Sequence, residues 1–258
     1  MWLRQVALVA HDLKPVVEQL GQVFGLKVAY EDPAVGVFGL INAVMPAGGE
    51  FLEVVQPVKD DASALRYLRR RGGDAGYMVI LQTADAAVER ARILGLGARK
   101  IAEHDGSYVF THFHPGDFGG VLTSVDSVTG VENWFDRDSD WPPAGRDWYG
   151  ARSAGATGLV GVSIQSRTPD ALARRWGELL GVPVKAGERG PELDLARGVI
   201  RFIAPVDEDA SGVVGVDIVV PDAARVLDMA LRHNVPVKND TIKICGVDFN
   251  LMTPSRGE

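Results

Sequence analysis

One pattern occurs four times along the sequence, and this repeat limits the folds that the chain can adopt. Each repeat begins with a β-strand pattern that leads into an amphipathic helix and ends on a strand opened by glycine. Helices are predicted to begin near residues 13, 84, 168 and 221. Two further short β-like runs lie between helix and final strand, so each unit has the order β-α-β-β-β. The strand-to-helix segments are LRQVALVAHDLKPVVEQLGQVFGL, GYMVILQTADAAVERARILGLG, GLVGVSIQSRTPDALARRWGELLGV and GVVGVDIVVPDAARVLDMALRHNV.

A single unit of this kind cannot bury both faces of its sheet, so the units are expected to pair. Two units side by side form a cupped, mixed β-sheet of eight strands, with helices outside and a concave cavity inside. The predicted fold class is therefore α+β, with four βαβββ modules in two cupped sheets. We expect an N-terminal domain over residues 1–131, a Trp-rich linker over 132–156 and a C-terminal domain over 157–258.

The linker contains three tryptophans, Trp134, Trp141 and Trp148. These side chains are costly to leave in water, so the linker is expected to be ordered. Two arrangements are open. The tryptophans pack over the junction between the domains, or one of them covers the cavity.

Composition and charge exclude several classes of protein. The net charge is −7 and no basic stripe is present, which argues against a nucleic-acid partner. The single cysteine, Cys245, excludes a disulfide framework and is expected to be a buried core thiol. The N-terminal segment lacks a signal-peptide pattern, and no apolar run reaches about 18 residues. A cytoplasmic protein without a membrane partner is expected.

Four segments are more specific than the general pattern: RQVALVAHDL, GEFLEVVQP, GYMVILQTAD and THFHPGDFGGVLTSVD. With them the chain resembles the vicinal oxygen chelate superfamily, and within it the glyoxalase-like domain proteins. The superfamily includes glyoxalase I, extradiol dioxygenases, methylmalonyl-CoA epimerase, and fosfomycin and bleomycin resistance proteins. The resemblance covers nearly the whole chain and implies the fold. It does not select one activity, because this fold hosts several chemistries.

The resemblance also implies where a metal would bind. In the superfamily, metal ligands come from the first and fourth strands of paired units, and these positions in unit one are Gln5 and Glu53. Strand alternation agrees, since Val6 and Leu8 form one face while Gln5 and Ala7 form the other. Glyoxalase I enzymes use Gln or His with Glu at these places. The resemblance therefore implies a divalent metal held by unit one, with Glu53 as a possible catalytic base.

The other units depart from the superfamily pattern. In unit two the corresponding positions are Met78 and Ser124, neither of which is an expected ligand of a divalent metal. The positions in units three and four are occupied by Gly161, Gly215, Arg201 and Asn250. We therefore expect the C-terminal half to be structural and to bind no catalytic metal, with its interior filled by side chains such as Phe202 and Phe249.

A pair of histidines in THFHP offers another set of ligands. Their spacing of two puts His112 and His114 on one face of a strand, together with Phe110. With Glu53 they would form a 2-His-1-carboxylate set suited to Fe(II), and adding Gln5 gives a mixed nitrogen and oxygen site. The alternative is that both histidines cap a surface hairpin by bonding to its backbone.

Two functions remain open at this point. The first is a divalent-metal-dependent isomerase, lyase or dioxygenase that acts on a small oxygenated molecule, with Fe, Zn, Ni or Mn as the metal. The second is a metal-free protein that binds or sequesters a small hydrophobic or aromatic compound. The expected lining residues Met78, Phe110 and Ser124 favour this second function. A homodimer is expected in either case, and the units can pair within or between chains.

Overall fold

The computed structural model describes residues 1–206 and 211–254 of the chain. Within these ranges five α-helices occur, and four of them follow the first strand of a unit and begin within two residues of the predicted positions. The additional helix, α2, joins units one and two, and its last turn is Arg69-Arg70-Arg71. The helices are α1 Leu13–Phe24, α2 Ser63–Arg71, α3 Ala86–Gly95, α4 Pro169–Leu180 and α5 Ala223–Arg232.

The strands of the described residues form two mixed sheets, which confirms the predicted α+β fold. The N-terminal sheet has the order β2-β3-β1-β4-β7-β6-β5, and the C-terminal sheet has the order β13-β14-β15-β12-β8-β11-β10-β9. The N-terminal strands are β1 Trp2–Val9, β2 Leu40–Ala47, β3 Glu50–Pro57, β4 Ala75–Gln82, β5 Lys100–His104, β6 Tyr108–Phe113 and β7 Leu122–Val128. The C-terminal strands are β8 Gly158–Ser166, β9 Val184–Gly187, β10 Gly190–Asp194, β11 Val199–Ile203, β12 Ser211–Val219, β13 Val237–Lys238, β14 Thr241–Ile244 and β15 Val247–Met252.

Strand pairing explains how two units make one cup. In the N-terminal sheet β1 is parallel to β3 of its own unit and antiparallel to β4 of the next unit. In the C-terminal sheet β8 is parallel to β11 and antiparallel to β12 in the same way. The first and last strands of both units therefore lie together at the centre of each sheet. In this register Glu53 of β3 lies opposite Ala7 of β1.

Unit one differs from the predicted pattern, and its sheet has seven strands rather than eight. Residues 26–32 are the first of the two short β-like runs in this unit, but they form no strand, and only Tyr30 makes an isolated bridge, to Val44. A 3-10 helix over Pro33–Phe38 follows, and the side chain of Asp32 caps it by accepting from the backbone N–H of Ala34 at 2.9 Å. Because proline has no N–H to donate to a ladder, Pro33 favours this helix over a strand.

The two halves share one hydrophobic core. Helices α1, α3, α4 and α5 lie on the convex faces of the sheets, and these faces contribute to a common cluster of buried side chains. Helix α2 instead packs on the concave side of the N-terminal sheet, where Ala64 and Leu68 contact Val9 and Val55. The ring centroids of Phe24 and Phe249, which belong to different halves, are 5.3 Å apart. Within the C-terminal half, the ring centroids of Trp176 and Phe202 are 5.7 Å apart. The expectation that Phe202 and Phe249 fill the C-terminal cup is therefore wrong. Phe202 follows Arg201 directly, so the two side chains point to opposite faces.

The linker packs into the N-terminal cup. Trp141 and Trp148 are each 1% exposed, and their rings lie 6.3 Å and 4.9 Å from the ring of Phe51 on the concave side of the N-terminal sheet. The linker residues that line the cavity are Pro142 and Pro143, and Trp141 and Trp148 pack in the buried cluster around Phe51. Across the described residues, no helix has both the length and the apolar character needed to cross a membrane.

Candidate functional site

The concave face of the N-terminal sheet encloses a cavity of about 1040 Å³. Its apolar lining comes from alternate positions on the central strands, namely Ala7, Met78, Ile80 and Leu122. Aromatic and polar side chains stand on both sides of this apolar surface. The cavity is large enough for a small organic molecule.

Glu53 stands on one side of the cavity and is held by two neutral amides. Its Oε2 accepts from Nε2 of Gln5 at 2.8 Å, and its Oε1 accepts from Nδ2 of Asn42 at 2.6 Å. The side chain is only 6% exposed, and this burial raises the pKa of Glu53 above its ordinary value, although both hydrogen bonds act to lower it. Gln5 and Glu53 thus lie together in the cavity, as the sequence predicted.

Trp141 fixes the orientation of Gln5. The indole Nε1 donates to Oε1 of Gln5 at 2.7 Å. Because an indole N–H can only donate, the amide oxygen of Gln5 faces Trp141 and the amide nitrogen faces Glu53. A linker residue therefore determines which end of Gln5 meets the carboxyl group.

A second buried carboxyl group, Asp126, lies on the other side of the cavity. The hydroxyl groups of Ser124 and Tyr108 both donate to it. Asp126 is 1% exposed, and burial raises its pKa to about 7. The sequence analysis missed Asp126, Tyr108 and Asn42. Asp126 had a detectable signal, because it lies two residues after Ser124 and so on the same face of β7.

The three residues predicted to bind substrate have different surroundings. Met78 and Phe110 line the cavity. Ser124 is fully buried, and its hydroxyl contacts Asp126 and the carbonyl oxygen of Thr111, the latter at 3.2 Å. Ser124 therefore positions Asp126 and does not lie among the lining residues.

The structure separates the two histidines. His112 lines the cavity, with ring centroids 4.6 Å from Phe110 and 5.5 Å from Phe38. It makes no hydrogen bond to the described residues, and burial lowers its pKa to about 4, so the imidazole is neutral at pH 7. Phe38 comes from unit one and His112 from unit two, so this contact spans the cup.

His114 lies elsewhere, and the prediction that it shares a face with His112 is wrong. Strand β6 ends at Phe113, and the chain turns into a 3-10 helix over Pro115–Phe118. There Nδ1 of His114 accepts from the backbone N–H of Gly116 at 3.0 Å. The capping alternative therefore describes His114 but not His112.

The predicted donor set of Gln5, Glu53, His112 and His114 does not fit a divalent metal in this arrangement. Both oxygens of Glu53 accept from amide N–H groups, and the oxygen of Gln5 accepts from an indole. Among the described residues, no three His, Cys, Asp or Glu side chains are grouped so that they could hold a metal ion. The amide nitrogens that face Glu53 are donors and cannot serve as ligands.

The C-terminal cup has a different polar network at the corresponding positions. Arg201 contacts Asp217 at 3.0 Å and Glu192 at 2.6 Å. Asn250 donates to Asp217 at 2.7 Å. A Cβ atom on Gly161 would lie 2.3 Å from Oδ2 of Asp217, so glycine is required there for close approach. Arg201 therefore places one positive charge between two carboxyl groups inside this cup.

Comparisons with known proteins agree with this architecture. The family profile of the glyoxalase-like domain matches residues 6–180. A triple mutant of 4-hydroxymandelate synthase from Streptomyces coelicolor is 19% identical, with a TM-score of 0.68 over 91% of this chain and 75% of that chain. No curated protein sequence matches the chain significantly.

Shorter structures match half of the chain. A variant of methylmalonyl-CoA epimerase from Streptomyces coelicolor, in complex with 2-nitronate-propionyl-CoA, is 22% identical, with a TM-score of 0.46 over 50% of this chain and 99% of that chain. Methylmalonyl-CoA epimerase from Mycobacterium tuberculosis is 19% identical, with a TM-score of 0.45 over 50% of this chain and 88% of that chain. On the profile match over more than half of its length, the chain belongs to the glyoxalase-like domain family of the vicinal oxygen chelate superfamily.

Proposed function

We propose that the N-terminal cup binds a small oxygenated molecule and catalyses a proton transfer on it, with Glu53 as the base. One observation carries the proposal. A carboxyl group with a raised pKa faces a cavity of about 1040 Å³ and is held only by neutral donors. General bases in enzymes are tuned in this way, because a pKa near the working pH favours proton transfer in both directions.

The chemistry requires only groups of this chain. Glu53 accepts a proton from a carbon beside a carbonyl group, and the electron pair of the broken C–H bond moves into that carbonyl. Where the deprotonated carbon carries a hydroxyl group, the hydroxyl proton moves to the enolate oxygen and Glu53 returns its proton to the former carbonyl carbon, which gives an isomer. Where the next carbon carries a leaving group instead, the enolate electron pair expels it, re-forms the carbonyl group and gives a lyase product. The N–H groups of Gln5 and Asn42 hold the carboxylate before transfer, and Asp126 is a second group that exchanges protons near pH 7.

Deuterium exchange tests this function without a known substrate. Small ketones and α-hydroxyketones, aliphatic and aromatic, are incubated with the protein in D₂O, and NMR follows deuterium incorporation beside the carbonyl. We expect exchange above the buffer rate, and a loss of roughly 100-fold or more in Glu53→Gln. Glu103→Gln is the matched control, because Glu103 lines the same cavity but pairs with Arg90 at 3.0 Å. Equal exchange by Glu53→Gln and the unmodified protein would contradict the proposal.

A metal-free binding protein is the second candidate. The apolar lining by Met78, Ile80 and Leu122 supports it, because such a surface retains a hydrophobic compound without reacting with it. In the same experiment, this function predicts line broadening of a bound compound without any deuterium incorporation. The homodimer and the cytoplasmic location expected from the sequence stay predictions.

A further inference from the structure

We infer that the ligand of the N-terminal cup is an organic cation, with an ammonium-type group on an aromatic or apolar body. This inference rests on the same site as the proposed function and names the class of its ligand. It does not depend on whether that ligand reacts.

The first support is the charge of the lining. The acidic residues that line the cavity are Asp32, Glu53, Asp61, Glu103 and Asp126, and the one lysine is Lys59. Glu103 is neutralised by Arg90 and Lys100. Within residues 1–206 and 211–254, none of the other four carboxyl groups forms an ion pair with an arginine or lysine. Four carboxyl groups without an ion-pair partner against one lysine leave a cavity that attracts cations, and the attraction strengthens as the pH rises and Asp126 loses its proton.

The second support is the surroundings of the two buried carboxyl groups. Glu53 is held by the amides of Gln5 and Asn42, and Asp126 is held by two hydroxyl groups. None of these donors carries a charge. A buried carboxylate without a counter-charge is costly, and a bound cation would remove that cost.

The third support is the aromatic side of the cup. The rings of Phe38, His112 and Phe110 lie in sequence, with centroid distances of 5.5 Å and 4.6 Å. The stacked rings of Phe110 and His112 offer an apolar surface to the body of a ligand, and the neutral imidazole can accept a hydrogen bond from its ammonium group. His112 has no hydrogen-bond partner among the described residues, so this acceptor is free for a ligand.

An organic cation fits these groups better than a metal ion does. The carboxyl groups and rings are spread over opposite sides of a cavity of about 1040 Å³. Both oxygens of Glu53 already accept hydrogen bonds. Among the described residues, the site therefore presents carboxyl groups and aromatic rings but no set of side chains that converge on one metal ion. A molecule with a charged group and a flat apolar body can contact both.

Three probes of one shape test the inference: 2-naphthylmethylamine, 2-naphthylmethanol and 2-naphthoate. Binding is followed by tryptophan fluorescence, since Trp141 contacts Gln5 and Tyr108 of the cavity lining, and by calorimetry. We expect the amine to bind about tenfold more tightly than the alcohol, and the carboxylate to bind most weakly. The affinity of the amine should rise between pH 5 and pH 8, as Asp126 loses its proton.

Variants locate the effect in the cup. Asp126→Asn should reduce the preference for the amine over the alcohol several-fold, and Asp61→Asn, at the exposed rim, gives a second measure with little risk to folding. Glu178→Gln removes the same charge from an exposed position on α4 and should leave the preference for the amine over the alcohol unchanged. Equal binding of alcohol and amine, tighter binding of 2-naphthoate, or displacement of the amine by Zn²⁺ or Mn²⁺ would overturn the inference. Amine binding without deuterium exchange would contradict only the proposed function, whereas exchange without amine binding would contradict only this inference.

Discussion

The two cups pair their central strands in the same way but differ in whether their buried carboxyl groups have a counter-charge. In the C-terminal cup Arg201 lies between Asp217 and Glu192, so the protein supplies the counter-charge itself. In the N-terminal cup Glu53 and Asp126 face a cavity and are held only by neutral donors. The C-terminal cup thus contains its own cation and needs no ligand to provide one. The N-terminal cup leaves its buried carboxyl groups without a cation, which favours the binding of a cationic ligand and lowers the stability of the ligand-free protein.

The linker adds to this difference. Trp141 donates to Gln5 and so helps to orient Glu53, although it lies 136 residues further along the chain. Trp148 packs on the same ring of Phe51, but its indole N–H has no partner within the described part of the chain. Trp141 is thus part of the polar network of the site, whereas Trp148 contributes packing and a contact of its ring with the guanidinium of Arg152 at 4.6 Å.

The largest expected effect concerns the pH dependence of stability. The pKa of Asp126 rises from an unfolded value of 3.8 to about 7 in the fold, so folding favours the protonated form. Its contribution is fully present below about pH 4 and is lost as the pH rises through 7, by roughly 4 kcal/mol at most. Chemical denaturation of the protein and of Asp126→Asn from pH 4 to 8 measures this as the difference between the two curves. A difference that does not change with pH would contradict the raised pKa.

The second prediction concerns the stability that Arg201 gives to the C-terminal cup. Arg201→Met leaves Asp217 and Glu192 without a cation, and because the arginine side chain is only 16% exposed we expect a loss of about 3 kcal/mol in the free energy of unfolding. Glu53→Gln is the matched change in the N-terminal cup. It leaves one of the two amide donors without an acceptor, but it also removes an unpaired buried charge, so we expect a net cost of about 1 kcal/mol or less. Urea denaturation at pH 7 compares the two. A larger loss for Glu53→Gln would reverse the contrast between the cups.

The smallest expected effect is the difference in unfolding free energy between substitutions of the two linker tryptophans. Trp141→Phe removes the N–H that donates a hydrogen bond to Oε1 of Gln5, whereas Trp148→Phe removes an N–H that has no partner in the described residues. Both side chains are 1% exposed, so the loss of packing is similar. We expect Trp141→Phe to be less stable than Trp148→Phe by about 1 kcal/mol. Equal unfolding free energies would show that the hydrogen bond to Gln5 contributes nothing.

Local periodicity predicts four of the five helices and the two mixed sheets, because alternation and helix starts depend on neighbouring residues. It did not predict helix α2 or the 3-10 helix that begins at Pro33. The positions of Gln5 and Glu53 followed from the same alternation together with the family resemblance. His114 was misplaced because a strand end depends on where the next turn begins, here at Pro115. Asn42 and Trp141 could not be found from the sequence, since their contacts join segments that only the folded chain brings together.

The most direct test of the contrast is a carbon-13 NMR titration of the side-chain carboxyl groups, with Glu53→Gln and Asp126→Asn used for assignment. If the N-terminal cup leaves its carboxyl groups without a counter-charge, the pKa of Asp126 is about 7 and the pKa of Glu53 lies above the ordinary value for glutamate. Addition of 2-naphthylmethylamine should then lower both pKa values. If both groups titrate near pH 4 in the ligand-free protein, the carboxyl groups are already compensated, and the central difference between the two cups does not exist.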